Sequence, residues 1–120
     1  MQYSKTILDH LENPRNVGEM LDADSYAEVV NSACGDKIKL FVKYRDERII
    51  SATMKAYGCV PTLSAASFLT EWLIGKTIIE ANSLEVDELI DLLEGLPRGK
   101  KHAADLAIEA LQRALINYKT

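Results

Sequence analysis

Apolar and polar residues alternate along two stretches of the chain. Ile38, Leu40, Val42 and Tyr44 share one side of Lys37–Tyr44, and Ile50, Ala52, Met54 and Ala56 share one side of Arg48–Tyr57. A period of two belongs to an extended chain with a single buried face. Asp46-Glu47 supplies a polar turn between the two runs, and the β-rich segment Tyr26–Asn31 precedes them. The pattern therefore predicts three strands with short connections, an antiparallel meander.

The period changes to that of a helix on both sides of these strands. Tyr3–Glu12 places Tyr3, Ile7, Leu8 and Leu11 on one side, and Asn13-Pro14 then ends the run. Residues 19–25 read as loop. After Cys59, Pro61 suits the first turn of a helix, where its missing N–H costs nothing. Ala65, Phe68, Leu69, Trp72 and Leu73 then recur at helical spacing up to Gly75. A short helix is expected over Thr77–Ala81 and another over Val86–Leu93, the latter stopped by Gly95 and Pro97. A last one covers His102–Tyr118, with Ala107, Ala110, Leu111, Ala114, Leu115 and Tyr118 on one face. Strands followed by helices predict an α+β domain spanning residues 1–120, with a three-stranded antiparallel sheet and the helices packed on one of its faces.

Composition narrows the function by exclusion. With 120 residues, 48% hydrophobic and 27% charged, the chain is the size of one ordinary globular domain. A net charge of −4 gives no general basic field for nucleic acid, although Arg98, Lys100 and Lys101 form a local basic knot. No apolar run approaches the roughly 20 residues of a membrane span. The absence of a basic-then-apolar leader pattern leads us to expect a cytoplasmic location, where two cysteines remain thiols.

Those two thiols carry the candidate chemistry. Cys34 lies in Ala33-Cys34-Gly35-Asp36, and Cys59 follows Tyr57-Gly58. The glycines allow sharp turns beside each thiol. Cys59 and His102 both fall at expected helix starts, where free backbone N–H groups carry partial positive charge. Together, Cys34, Asp36, Cys59 and His102 offer two sulfur donors, one oxygen and one nitrogen, a four-ligand metal set. The spacing does not require that assembly, because the chain has no CxxC pair. His10, in the first helix, is assigned to structure, and Phe68 and Trp72 to the core.

Several motifs resemble those of the NifU/IscU family of iron–sulfur cluster assembly scaffolds. They are Asp9-His10 with Glu12-Asn13-Pro14-Arg15-Asn16-Val17-Gly18, Ala33-Cys34-Gly35-Asp36, Tyr57-Gly58-Cys59, and Thr70-Glu71-Trp72 with Gly75-Lys76. Leu96-Pro97, Lys100, His102, Leu106-Ala107 and Tyr118 complete the set. The resemblance implies the same α+β fold and a non-enzymatic scaffold. It also implies a labile [2Fe–2S] cluster, or zinc in its place, at Cys34, Asp36, Cys59 and His102. Soft thiolates hold iron and sulfide, while a carboxylate or imidazole leaves the cluster releasable. The implied partners are a cysteine desulfurase or free sulfide as sulfur source and apo iron–sulfur proteins as recipients, with a homodimer left open. The alternative is a zinc-bound, non-catalytic relative that regulates or adapts the desulfurase machinery.

Three departures from the family stand out. A third family cysteine, a ligand or persulfide acceptor directly after the histidine, is Ala103 here. A thiol at that helix start would be expected to accept sulfur, whereas alanine offers only a methyl group. Val60-Pro61-Thr62 replaces small residues after the second cysteine. Leu96-Pro97-Arg98-Gly99-Lys100 lacks the second proline and the valine of the family's chaperone-binding loop, which leaves an Hsp70-type chaperone as an open partner.

Overall fold

A computed structural model describes residues 3–33 and 35–116. In chain order the elements are α1 (Lys5–Glu12), β1 (Ser25–Asn31), β2 (Asp36–Arg45), β3 (Arg48–Tyr57), α2 (Val60–Leu73), α3 (Ile78–Asn82), α4 (Val86–Leu92) and α5 (Lys101–Leu115). Every expected element is present, each start within two residues of its expected place, and the last helix ends at Leu115. Tyr118, at the end of the expected last helix, lies outside the described residues.

The strands form one antiparallel sheet in the order β1-β2-β3. Ala27, Val29, Ile38, Leu40, Val42, Ile49, Ala52 and Met54 are buried along one face. Helix α2 packs against β3 and β2, and α5 against β1 and β2. Helix α1 lies against α2, while α3 and α4 lie against α5. The core fills the space between sheet and helices, as the alternation predicts. Phe68 and Trp72 pack against that core while only partly buried. Among the described residues no helix is long and apolar enough to cross a membrane.

One inward position differs from expectation. Ile50, expected inside, is 40% exposed, and Ile49 is fully buried in its place. Lys43 pairs with Ser51 but Tyr44 with Ile49, so Ile50 is an extra residue on β3. Such a bulge shifts the alternation by one, and residues beyond it change face. The hairpin beside it turns through Asp46 and Glu47, both at positive φ (52° and 65°). That is the sense of a two-residue turn matched to the twist of the strands.

The outer edge of β3 is covered rather than left open. Gly18 N–H donates to Met54 O (2.8 Å) and Met54 N–H to Asn16 O (2.9 Å). Farther along, Ile49 N–H donates to Lys76 O (2.8 Å) and Gly75 N–H to Ile49 O (2.9 Å). His10 is structural, as expected: it is buried, and its Nδ1 lies 2.7 Å from Ser67 Oγ, which also accepts Arg15 N–H (2.8 Å). The pair ties α1 and the following loop to α2. The start of β2, the end of β3 and the N-terminal ends of α2 and α5 come together at the other end of β3 from the Ile49 contacts.

Candidate metal centre

Three side chains meet where those ends gather. Asp36 opens β2, directly opposite Asn31 across the β1–β2 hairpin. Cys59 caps the N-terminus of α2, and Thr62 N–H and Leu63 N–H both donate to its carbonyl (3.1 Å each). His102 sits in the first turn of α5. A carboxylate oxygen of Asp36, the Cys59 sulfur and a ring nitrogen of His102 all lie within 4.8 Å of one another. One ion could touch all three.

The Asp36 carboxylate is the floor of this group, only 2% exposed. Its Oδ1 accepts the Cys59 N–H at 3.2 Å. Its Oδ2 accepts the Thr62 hydroxyl at 2.9 Å, lies 3.1 Å from His102 Nε2, and accepts the Cys59 thiol at 3.6 Å. Burial pushes this carboxyl up, but the hydrogen bonds from Thr62 and Cys59 and the charge of His102 outweigh it. The net effect holds Asp36 below the ordinary carboxylate value, so it stays an anionic oxygen donor near neutral pH. Cys59 Sγ stands 3.8 Å from His102 Nε2 and is partly exposed.

Gly58 makes this approach sterically feasible. It has φ +132°, and a Cβ there would lie 2.0 Å from Asp36 Oδ1 and 3.0 Å from Asp36 Cα. Only a residue without a Cβ lets β2 and the end of β3 come this close.

Of the four donors expected from the sequence, Asp36, Cys59 and His102 come together. Cys34 lies outside the described residues; its neighbours Ala33 and Gly35 stand in the turn between β1 and β2. Position 103 does lie in the first turn of α5, but Ala103 is completely buried. Thr62 was missed, although its place three residues after a helix-capping cysteine put it within one turn of the sulfur.

A mixed sulfur, oxygen and nitrogen set brought this close together could hold a metal ion. The profile of the NifU-like N-terminal domain matches residues 2–120. The chain belongs to that family. It is 41% identical over 127 residues to the iron–sulfur cluster assembly scaffold protein IscU of Escherichia coli K12, covering all of this chain and 96% of that protein. It is 40% identical over 116 residues to the scaffold protein IscU 1 of Archaeoglobus fulgidus, covering 97% of this chain and 76% of that one. In fold it resembles a chain from Fervidobacterium islandicum AW-1 assigned as a cluster assembly scaffold for the SUF system (TM-score 0.77, 21% identity, 94% and 96% covered). The N-terminal part of a NifU-like protein from Brucella abortus resembles it too (TM-score 0.64, 20% identity, 94% and 84% covered). These two likenesses concern the fold alone.

Proposed function

We propose that this chain is a non-enzymatic, single-domain scaffold on which a [2Fe–2S] cluster is built and from which it is passed on. The observation that carries the reading is the convergence of Asp36, Cys59 and His102 donor atoms within 4.8 Å. Cys34 is the fourth ligand in this reading. The NifU-like family and the scaffold names of relatives about 40% identical support it. The cluster is cargo rather than a resident cofactor. Its sulfur comes from a cysteine desulfurase or free sulfide, and apo iron–sulfur proteins receive it.

Each donor has a stated task. Cys59 and Cys34 supply the soft thiolates that iron and sulfide require. His102 supplies a nitrogen donor from a rigid helix start. Asp36 supplies a hard oxygen, the weakest of the four toward this cargo, which an incoming recipient thiol can displace. Ala103 brings no third thiol, so sulfur reaches the site as sulfide or through Cys34 or Cys59.

The test is the iron, zinc and acid-labile sulfide content of protein purified without oxygen, for the parent and for Cys59→Ser. Iron and sulfide in equal amounts in the parent, lost in the variant, are expected. A second reading, a zinc-bound adaptor of the desulfurase machinery, is favoured by three donors close enough for one tetrahedral ion. Zinc without sulfide in the anaerobic protein would select it. Iron and sulfide uptake unchanged in Cys59→Ser would remove the scaffold reading.

A further inference from the structure

Helix α2 buries four hydroxyl side chains, Thr62, Ser64, Ser67 and Thr70. Ser64 Oγ donates to the carbonyl of Ile7 (2.9 Å), and Thr70 Oγ1 donates to that of Ser67 (2.7 Å). Ser67 serves the His10 and Arg15 tie. These are the ordinary structural fates of a buried hydroxyl, which must find a partner. Thr62 behaves differently. Its Oγ1 donates to Asp36 Oδ2 at 2.9 Å and lies 3.3 Å from Cys59 Sγ.

We infer that Thr62 is a positioning residue of this centre: its hydroxyl clamps the Asp36 carboxylate toward Cys59 and His102, and turns to Cys59 Sγ when a metal takes Oδ2. A hydroxyl has one proton and can serve only one of these acceptors at a time. Oδ2 is the oxygen that also faces Cys59 and His102, so the Thr62 bond holds the oxygen that a metal would use. The hydroxyl stays put because Thr62 is fully buried and its own N–H is tied to Cys59 O. A metal held at Oδ2 would compete for the lone pairs that accept the Thr62 proton. The sulfur, within reach of the same rotor, is then the available acceptor. Groups of this kind around a metal's ligands commonly govern affinity by about 10- to 100-fold. A hydrogen bond to a metal-bound sulfur also withdraws density from it and alters its bond to the metal.

The inference rests on the metal-centre reading, and cobalt(II) alone separates the two. Parent, Cys59→Ser, Thr62→Val and Thr62→Ser are titrated anaerobically with cobalt(II), following the sulfur-to-cobalt charge-transfer band, with a melting curve for each. Valine keeps the shape and removes the hydroxyl; serine keeps the hydroxyl and removes a methyl. Thr62→Val is expected to bind cobalt about tenfold or more weakly, with its charge-transfer band moved to lower energy. Thr62→Ser should return both toward the parent, even if it melts lower. If the parent itself shows no cobalt–sulfur band, or Cys59→Ser shows the same one, the metal-centre reading falls and the inference with it. Parent-like affinity and band position in Thr62→Val, with the parent binding, overturn the inference alone. A Thr62→Ser that binds as weakly as Thr62→Val assigns Thr62 to packing, which also overturns it.

Discussion

Replacing Gly58 by alanine tests the geometry of the centre most directly, because the structure supplies its own control. Gly58 and Gly18 have similar backbones, φ +132° and +139°, which an L side chain rarely adopts. Alanine should cost about 1–3 kcal/mol at either position for the backbone alone. The surroundings differ. A Cβ at Gly18 meets nothing within 4 Å, whereas one at Gly58 falls 2.0 Å from Asp36 Oδ1, 2.7 Å from its Cγ and 3.0 Å from its Cα. Rotating the carboxylate away does not clear the Cα, so the β2 and β3 ends must also part. Asp36 then gives up bonds from Cys59 N–H and Thr62, each worth about 1.5–3 kcal/mol for a charged acceptor. Gly58→Ala should therefore lose about 2–4 kcal/mol more than Gly18→Ala, allowing for partial relaxation. For a chain of this size that is a melting temperature lower by about 10 °C than that of Gly18→Ala. Thermal unfolding followed by circular dichroism reads this difference, and cobalt(II) titration should show binding lost in Gly58→Ala and kept in Gly18→Ala. If the two variants melt within about 2 °C of each other and bind cobalt alike, the close approach of Gly58 to Asp36 is wrong.

Three further outcomes are expected. Asp36→Ala, loaded to the same cluster content as the parent, should release its cluster to an apo-ferredoxin more slowly; transfer at the parent's rate would show that the oxygen donor does not set lability. Burial, and then the charge of Arg15, hold the His10 pKa below its ordinary value against the pull of Glu71 and Asp9. The unfolded chain thus takes up a proton near pH 6.5 that the folded one refuses, and stability falls as pH drops through about 6.5. Melting temperatures at pH 7.5 and 5.5 should differ less in His10→Gln than in the parent, and equal differences would refute that assignment. Because Ala103 is wholly buried, the thiol of Ala103→Cys should resist a brief pulse of alkylating reagent that modifies Cys59, as read by peptide mass; labelling as fast as Cys59 would place position 103 in the open.

The strands were legible because the sheet buries one face, and a two-residue period records that fact directly. The shift at Ile49 and Ile50 was not, since a bulge leaves the apolar run intact and only changes which member turns inward. Helix α2 was legible in its apolar stripe but not in its buried Thr62, Ser64, Ser67 and Thr70. Those hydroxyls are sheltered by partners from α1, β2 and the 13–18 loop, which no local pattern announces. The same holds at the centre. Asp36, Cys59 and His102 could be named through family motifs, yet their spacing alone demanded nothing. Thr62 matters only because the start of β2 lies against the start of α2, brought there by the close approach of Asp36 to Gly58, a contact between segments distant in sequence.

Asp36 and His102 are separated by 66 positions along the chain, and Cys59 lies between them. An ion gripped by this group would act on the unfolded chain as a cross-link acts. It would forbid the open conformations in which those positions drift apart. By the chain-entropy estimate for closing a loop of that length, the restriction is worth roughly 4 kcal/mol. Loading would therefore raise the unfolding free energy of the whole domain, and surrendering the cargo would return that freedom to the unfolded chain.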